Sequence, residues 1–195
     1  RCRRAESALV ALLKSPAADV QFAAAFALVA LGATNVVPDL EHFAGSAAGR
    51  ERFASASARA FLGSESGMAI LARTLETTGE SDWQTFTAIL SLLKLGTPEA
   101  RRALETTLPD PQFFPMHTAG LKGGTTAALL MMLEQPPDLK EGWRYGNHHY
   151  LALRAFTYLP DPAALPAIER FVDDADAHLR HAARNAQRRA KSSRQ

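Results

Sequence analysis

Signals that end helices return along this chain at near-regular spacing, and this recurrence narrows its possible folds more than any other feature. They stand at Leu31-Gly32, Leu62-Gly63, Leu95-Gly96, Lys122-Gly123, Leu159-Pro160 and near Lys191, at intervals of 27 to 37 residues. Glycine just past a helix relieves the strain of the left-handed closing residue, and proline cannot continue the helix. Between the stops, apolar residues recur three and four apart, as in Leu9, Leu12, Leu13 and in Trp83, Phe86, Leu90, Leu93. No segment alternates with period two for long enough to predict a strand. A period near 32 residues in an all-helical chain predicts helix pairs that stack on one another.

The register of the repeat is set by what precedes each stop. Ten residues upstream lie Phe22, Phe53, Phe86, Phe113, Tyr150 and His181, all rings; five upstream lie Ala27, Ala58, Ser91, Thr118, Ala155 and Ala186, all small. A recurring small residue lets a neighbouring helix approach closely, where a larger side chain would overpack. Each unit reads as two helices. The first has Ala8–Lys14, the turn Ser15–Asp19 and Val20–Leu31. In the last, Asp161 caps a helix that Pro162 begins and that runs through Leu165, Ile168 and Phe171. Asp173–Asp176 turn the chain, and a second helix follows through Leu179, Ala182, Ala183 and Ala186. Phe113-Phe114-Pro115 is expected to interrupt a helix.

With this pattern the chain resembles the short bacterial HEAT-like repeats, the class also found in phycobilin-lyase-type proteins. The resemblance rests on Asp161, Pro162, Leu165, Pro166, Ile168, Glu169, Asp176, Leu179, Arg180, Ala183 and Ala186 at one end. At the other it rests on Leu9, Leu12, Leu13, Asp19, Val20, Ala23, Ala24, Ala27 and Leu28. In the middle units Arg59 stands where an apolar residue is expected. The resemblance implies an all-α, right-handed α-solenoid of about five to six HEAT-like helix pairs. It forms one repeat domain over residues 1–191, with a polar tail at 192–195. It implies a scaffold or adaptor that holds a protein or peptide on the concave face. Bilin lyases share these repeats, so the alternative it implies is a lyase or chaperone for a prosthetic group.

Composition removes several other classes. In 195 residues, 22 Lys and Arg oppose 20 Asp and Glu, and the net charge of +2 gives no general attraction to polyanions. Cys2 is the single cysteine, so there is no internal disulfide or cysteine metal cluster; that fits a reducing, cytoplasmic setting. The longest apolar stretch, Val20–Ala33, is shorter than the about 20 residues a membrane span needs. The opening Arg1, Arg3 and Arg4 run into Glu6 and amphipathic sequence, unlike a signal peptide.

Candidate partner-binding residues fall in two groups. The rings Phe22, Phe26, Phe53, Phe86 and Tyr150 either line the concave groove or fill the space between repeats, the commoner use of apolar residues at helical spacing. In α-helical projection Val20, Ala23, Ala24, Ala27, Leu28 and Leu31 share one side of their helix, with Phe22, Phe26 and Val29 opposite. Trp143, Arg144 and Tyr145 form an aromatic and cationic group in the longest interval. Arg154, one turn past Tyr150, adds a charge beside it.

Arg180, Arg184 and Arg188 lie four apart and offer possible phosphate contacts, the basis of a further alternative, nucleic-acid binding through the basic C-terminal helix. The commoner use of such residues is to serve the helix C-terminus and a polar capping face. Catalytic residues, cofactors and metal ligands are not assigned. Asp174, His178 and His181 lack a fourth ligand, adjacent His148 and His149 point to different faces, and neither a GxSxG nor an HExxH motif occurs.

Overall fold

The computed structural model of the chain describes residues 3–46, 49–77, 82–107, 113–136 and 148–193. Among these residues the regular structure is entirely helical. The chain divides into two compact units, Arg1–Pro109 and Asp110–Gln195.

The first unit contains α1 (Arg3–Leu12), α2 (Ala18–Leu31), α3 (Val37–Ser46), α4 (Gly49–Phe61), α5 (Met68–Glu76), α6 (Asp82–Leu95) and α7 (Pro98–Thr106). Helix α1 begins five residues before the sequence-based start, and its opening Arg-Arg-Ala-Glu are residues a helix accommodates at little entropic cost. The expected stops fall at helix ends: Gly32, Gly63 and Gly96 have positive φ just beyond α2, α4 and α6. Packing follows chain order. Each of α1, α3 and α5 lies against the helix that follows it, and α2, α4 and α6 lie side by side in a row.

Helix α4 is the centre of this unit, touched by α2, α3, α5 and α6. Its run Phe53-Ala-Ser-Ala-Ser-Ala-Arg-Ala-Phe61 is buried at every position. Alanines and serines between the two rings keep its surface close to the backbone, so neighbours can approach from every side. The Ser55 hydroxyl reaches across to donate to the Leu40 carbonyl oxygen of α3, which satisfies it without water.

The second unit contains α8 (Phe114–Glu134), α9 (His148–Tyr158), α10 (Leu165–Glu169) and α11 (Ala177–Ser192). Phe113-Phe114-Pro115 does not interrupt a helix, as the sequence reading expected, but opens one. Pro115 occupies the first turn, where a missing N–H costs nothing. Asp161 accepts from the Ala163 amide and from the Thr126 hydroxyl, and Asp176 accepts from the His178 and Leu179 amides, so both aspartates begin helices. Helix α9 packs against α8 and α11, and α10 against α11.

Helix α8 is broken at Gly124, whose φ of 76° and ψ of −166° lie outside any helical region. The stop expected at Gly123 is therefore real but lies one residue later. That backbone region is essentially open to glycine alone. Gly124→Ala is expected to lower stability by about 1–3 kcal/mol. A Cβ there would meet nothing within 4 Å, so the loss would be backbone strain and not collision. A urea melt that does not move on this substitution would contradict the break.

Candidate interaction surface

Helix α9 shows how its outward side chains are placed. His148, His149, Leu151, Ala152, Leu153, Ala155 and Phe156 are buried. The His149 ring Nε2 lies 2.7 Å from the Gln135 carbonyl oxygen, and the ring lies 4.8 Å from that of Phe171. His148 meets Phe113 edge-on, with ring centroids 6.3 Å apart. The adjacent histidines point different ways, as α-helical geometry requires, and each packs the start of α9 against a different ring. What remains half-buried is Tyr150, Arg154, Thr157 and Tyr158. Residues four apart lie above one another on a helix, so Tyr150, Arg154 and Tyr158 make one stripe. The Arg154 guanidinium carbon lies 6.0 Å from the Tyr150 ring centroid, within cation–π range.

This pairing of Tyr150 with Arg154 was anticipated. Tyr158 was missed, although its spacing of eight from Tyr150 would have revealed it. Trp143, Arg144 and Tyr145 lie outside the described residues.

The ring series divides. Phe26 is 3% exposed, Phe53 4% and Phe86 1%. These three fill the core, and a ring so enclosed offers nothing a partner can reach. Phe26 stacks edge-on with Phe61 at 5.7 Å, and Phe86 lies 5.8 Å from Trp83. Of the two uses open to the rings, Phe26 has the packing one. Both sides of α2 contribute to the core, Phe26 and Val29 from one and Ala24 and Leu28 from the other, while Ala23 and Leu31 are exposed. The side chain of Phe22 lies outside the description. Phe113 is buried too, whereas His181 is exposed and lies 2.9 Å from the Asn185 amide.

Arg180, Arg184 and Arg188 of α11 are engaged with their own chain. Arg180 donates to the carbonyl oxygens of Asp174 and Ala175, and Arg184 donates to Val172 and forms an ion pair with Asp173 at 3.1 Å. Arg188 donates to the Asn185 side chain. Arg180 and Arg184 thus fasten the last helix to the turn before it, while Arg188 is held within the helix. Among the described residues no group of three or more His, Cys, Asp or Glu is placed to hold a metal ion. No helix among them is long and apolar enough to cross a membrane.

A polar cluster that the sequence marked only by the oddity of Arg59 lies at the turn between α4 and α5. The Arg59 side chain is 7% exposed, and its Nη1 donates to the Ser66 hydroxyl at 3.2 Å. Ser66 donates to Glu41 and lies 2.7 Å from the Ser64 hydroxyl. Glu41 stands 4.0 Å from Arg59, beyond hydrogen-bond length. Burial pushes the Arg59 pKa below the ordinary arginine value; Glu41 opposes this and Arg52 adds to it.

With this geometry in place, the comparison with known families is informative. Residues 20–45, covering most of α2 and most of α3, match the family model of the PBS lyase HEAT-like repeat. That stretch is similar to a HEAT-like repeat, in line with the resemblance. No curated protein matches the chain.

Proposed function

We propose that this chain is a non-enzymatic repeat scaffold that holds a protein or peptide on the concave face of a solenoid. In this reading the helix pairs continue as a right-handed solenoid of five to six units, one domain over residues 1–191. The row of second helices forms its inner face. The partner sits on that face against the half-buried stripe of α9, Tyr150 and Arg154, joined by Trp143, Arg144 and Tyr145. Phe26, Phe53 and Phe86 are not part of this proposal.

The observation that carries it is the α9 stripe itself. Two tyrosines and an arginine stand half-buried along one side of α9, and these residue types dominate binding energy at interfaces. The HEAT-like match over residues 20–45 supports the scaffold class.

The test is capture of partner proteins by the wild type and by a Tyr150→Ser/Arg154→Ala variant. Capture is expected to fall at least tenfold, a loss of about 1.4 kcal/mol or more. The melting temperature should stay within a few degrees, because both side chains are only half-buried. Undiminished capture by a folded variant would overturn the assignment.

The family model's name favours one second reading, a chaperone or lyase for a prosthetic group. Visible absorbance from a pigment that co-purifies with the protein would select it.

A further inference from the structure

Arg59 is costly where it stands. An arginine with 7% exposure has lost most of its hydration, yet its counter-ion is 4.0 Å away and its Nε reaches the Ser55 carbonyl only at 3.4 Å. Loose pairing of this kind does not repay desolvation, and a well-packed apolar side chain would serve the fold as well or better. The surroundings are nevertheless built around the guanidinium. Gly67 has φ of +100°, and a Cβ there would lie 2.7 Å from Arg59 Nη2 and 3.0 Å from the Ala56 Cβ, so the backbone of the turn runs close beside the guanidinium. Two hydroxyls, Ser64 and Ser66, stand on the Nη1 side, and both residues are half-buried. Arg52 is exposed and near enough to act on Arg59 electrostatically. Glu41 is 46% exposed and is tied to the cluster through Ser66.

We propose that Arg59, Ser64 and Ser66 form a receptor for a carboxylate from an acidic segment of the bound protein, with Glu41 as the internal carboxylate that the incoming group displaces. This inference rests on the scaffold reading and adds the chemistry of the partner. A carboxylate placed against Nη1 gains a charge-assisted hydrogen bond that Glu41 does not make at 4.0 Å. The two hydroxyls can donate to its second oxygen, and Arg52 supplies further attraction from outside.

The experiment follows the Arg59 Nε–Hε signal by NMR in the full chain, at constant ionic strength. Hexaglutamate peptide and inorganic phosphate are titrated separately. Hexaglutamate is expected to shift the signal saturably, several-fold more tightly in Glu41→Gln. The same peptide, followed on neighbouring backbone amides, should lose its effect in Arg59→Met and weaken in Ser66→Ala.

Absence of any shift with hexaglutamate would overturn the proposal, as would binding that survives both Arg59→Met and Ser66→Ala. A response to phosphate alone would overturn the acidic-peptide assignment. No protein partner is needed, so this test can fail while capture through Tyr150 and Arg154 succeeds, and the reverse.

Discussion

Phe86→Ala is expected to lower the unfolding free energy by about 3–5 kcal/mol, the range for emptying a buried aromatic site. Phe86 is 1% exposed in the middle of α6, and that helix packs against α4, α5 and α7. Removing the ring leaves a cavity inside this packing, and closing it would require helices to shift that are fixed by other contacts. The measurement is a urea melt followed by circular dichroism. It is read against Tyr150→Ser, which should cost much less because its ring is only partly enclosed. A similar small loss in both variants would mean that Phe86 is not core.

The second large effect comes from adding volume. Ala58 is fully enclosed in α4, the helix with neighbours on every side. Ala58→Leu introduces three carbons where no surface exists to receive them, and overpacking of this kind costs about 1–3 kcal/mol. In a helix closed on all sides, the upper end of that range is expected. The control is Ala11→Leu on the exposed face of α1, which should change stability by less than about 0.5 kcal/mol. Equal effects at the two positions would remove the argument that the recurring small residues set helix spacing.

These two positions also indicate what a linear reading of the chain can deliver. The stops at Gly32, Gly63 and Gly96 were legible because glycine at a helix end answers a local backbone demand. Asp161 and Asp176 were legible because a cap bonds within three residues of itself. Ala58, Ser91 and Ala186 were legible as small positions, and all three are fully buried.

Orientation was harder. Both sides of α2 are apolar, so periodicity carries no sign of which side faces the core, and the rings could be read either as groove lining or as packing. Helix α4 is buried all round and has no stripe to read. Arg59 then looks like a lapse in the pattern, because Ser66 and Glu41 reach it only once the chain has folded. The arginines of α11 show the same limit. Their spacing suggests an outward charge stripe, but Arg180 and Arg184 turn back onto the carbonyls and carboxylate of the preceding turn.

The measurement that bears most directly on the scaffold claim is photo-crosslinking with benzoylphenylalanine placed at position 150 and, separately, at position 188. The first lies on the outward stripe of α9, the second on the exposed side of α11. The account predicts crosslinks from position 150 to another protein chain and none from position 188. Crosslinks from position 188 to nucleic acid, with none to protein from position 150, would contradict it.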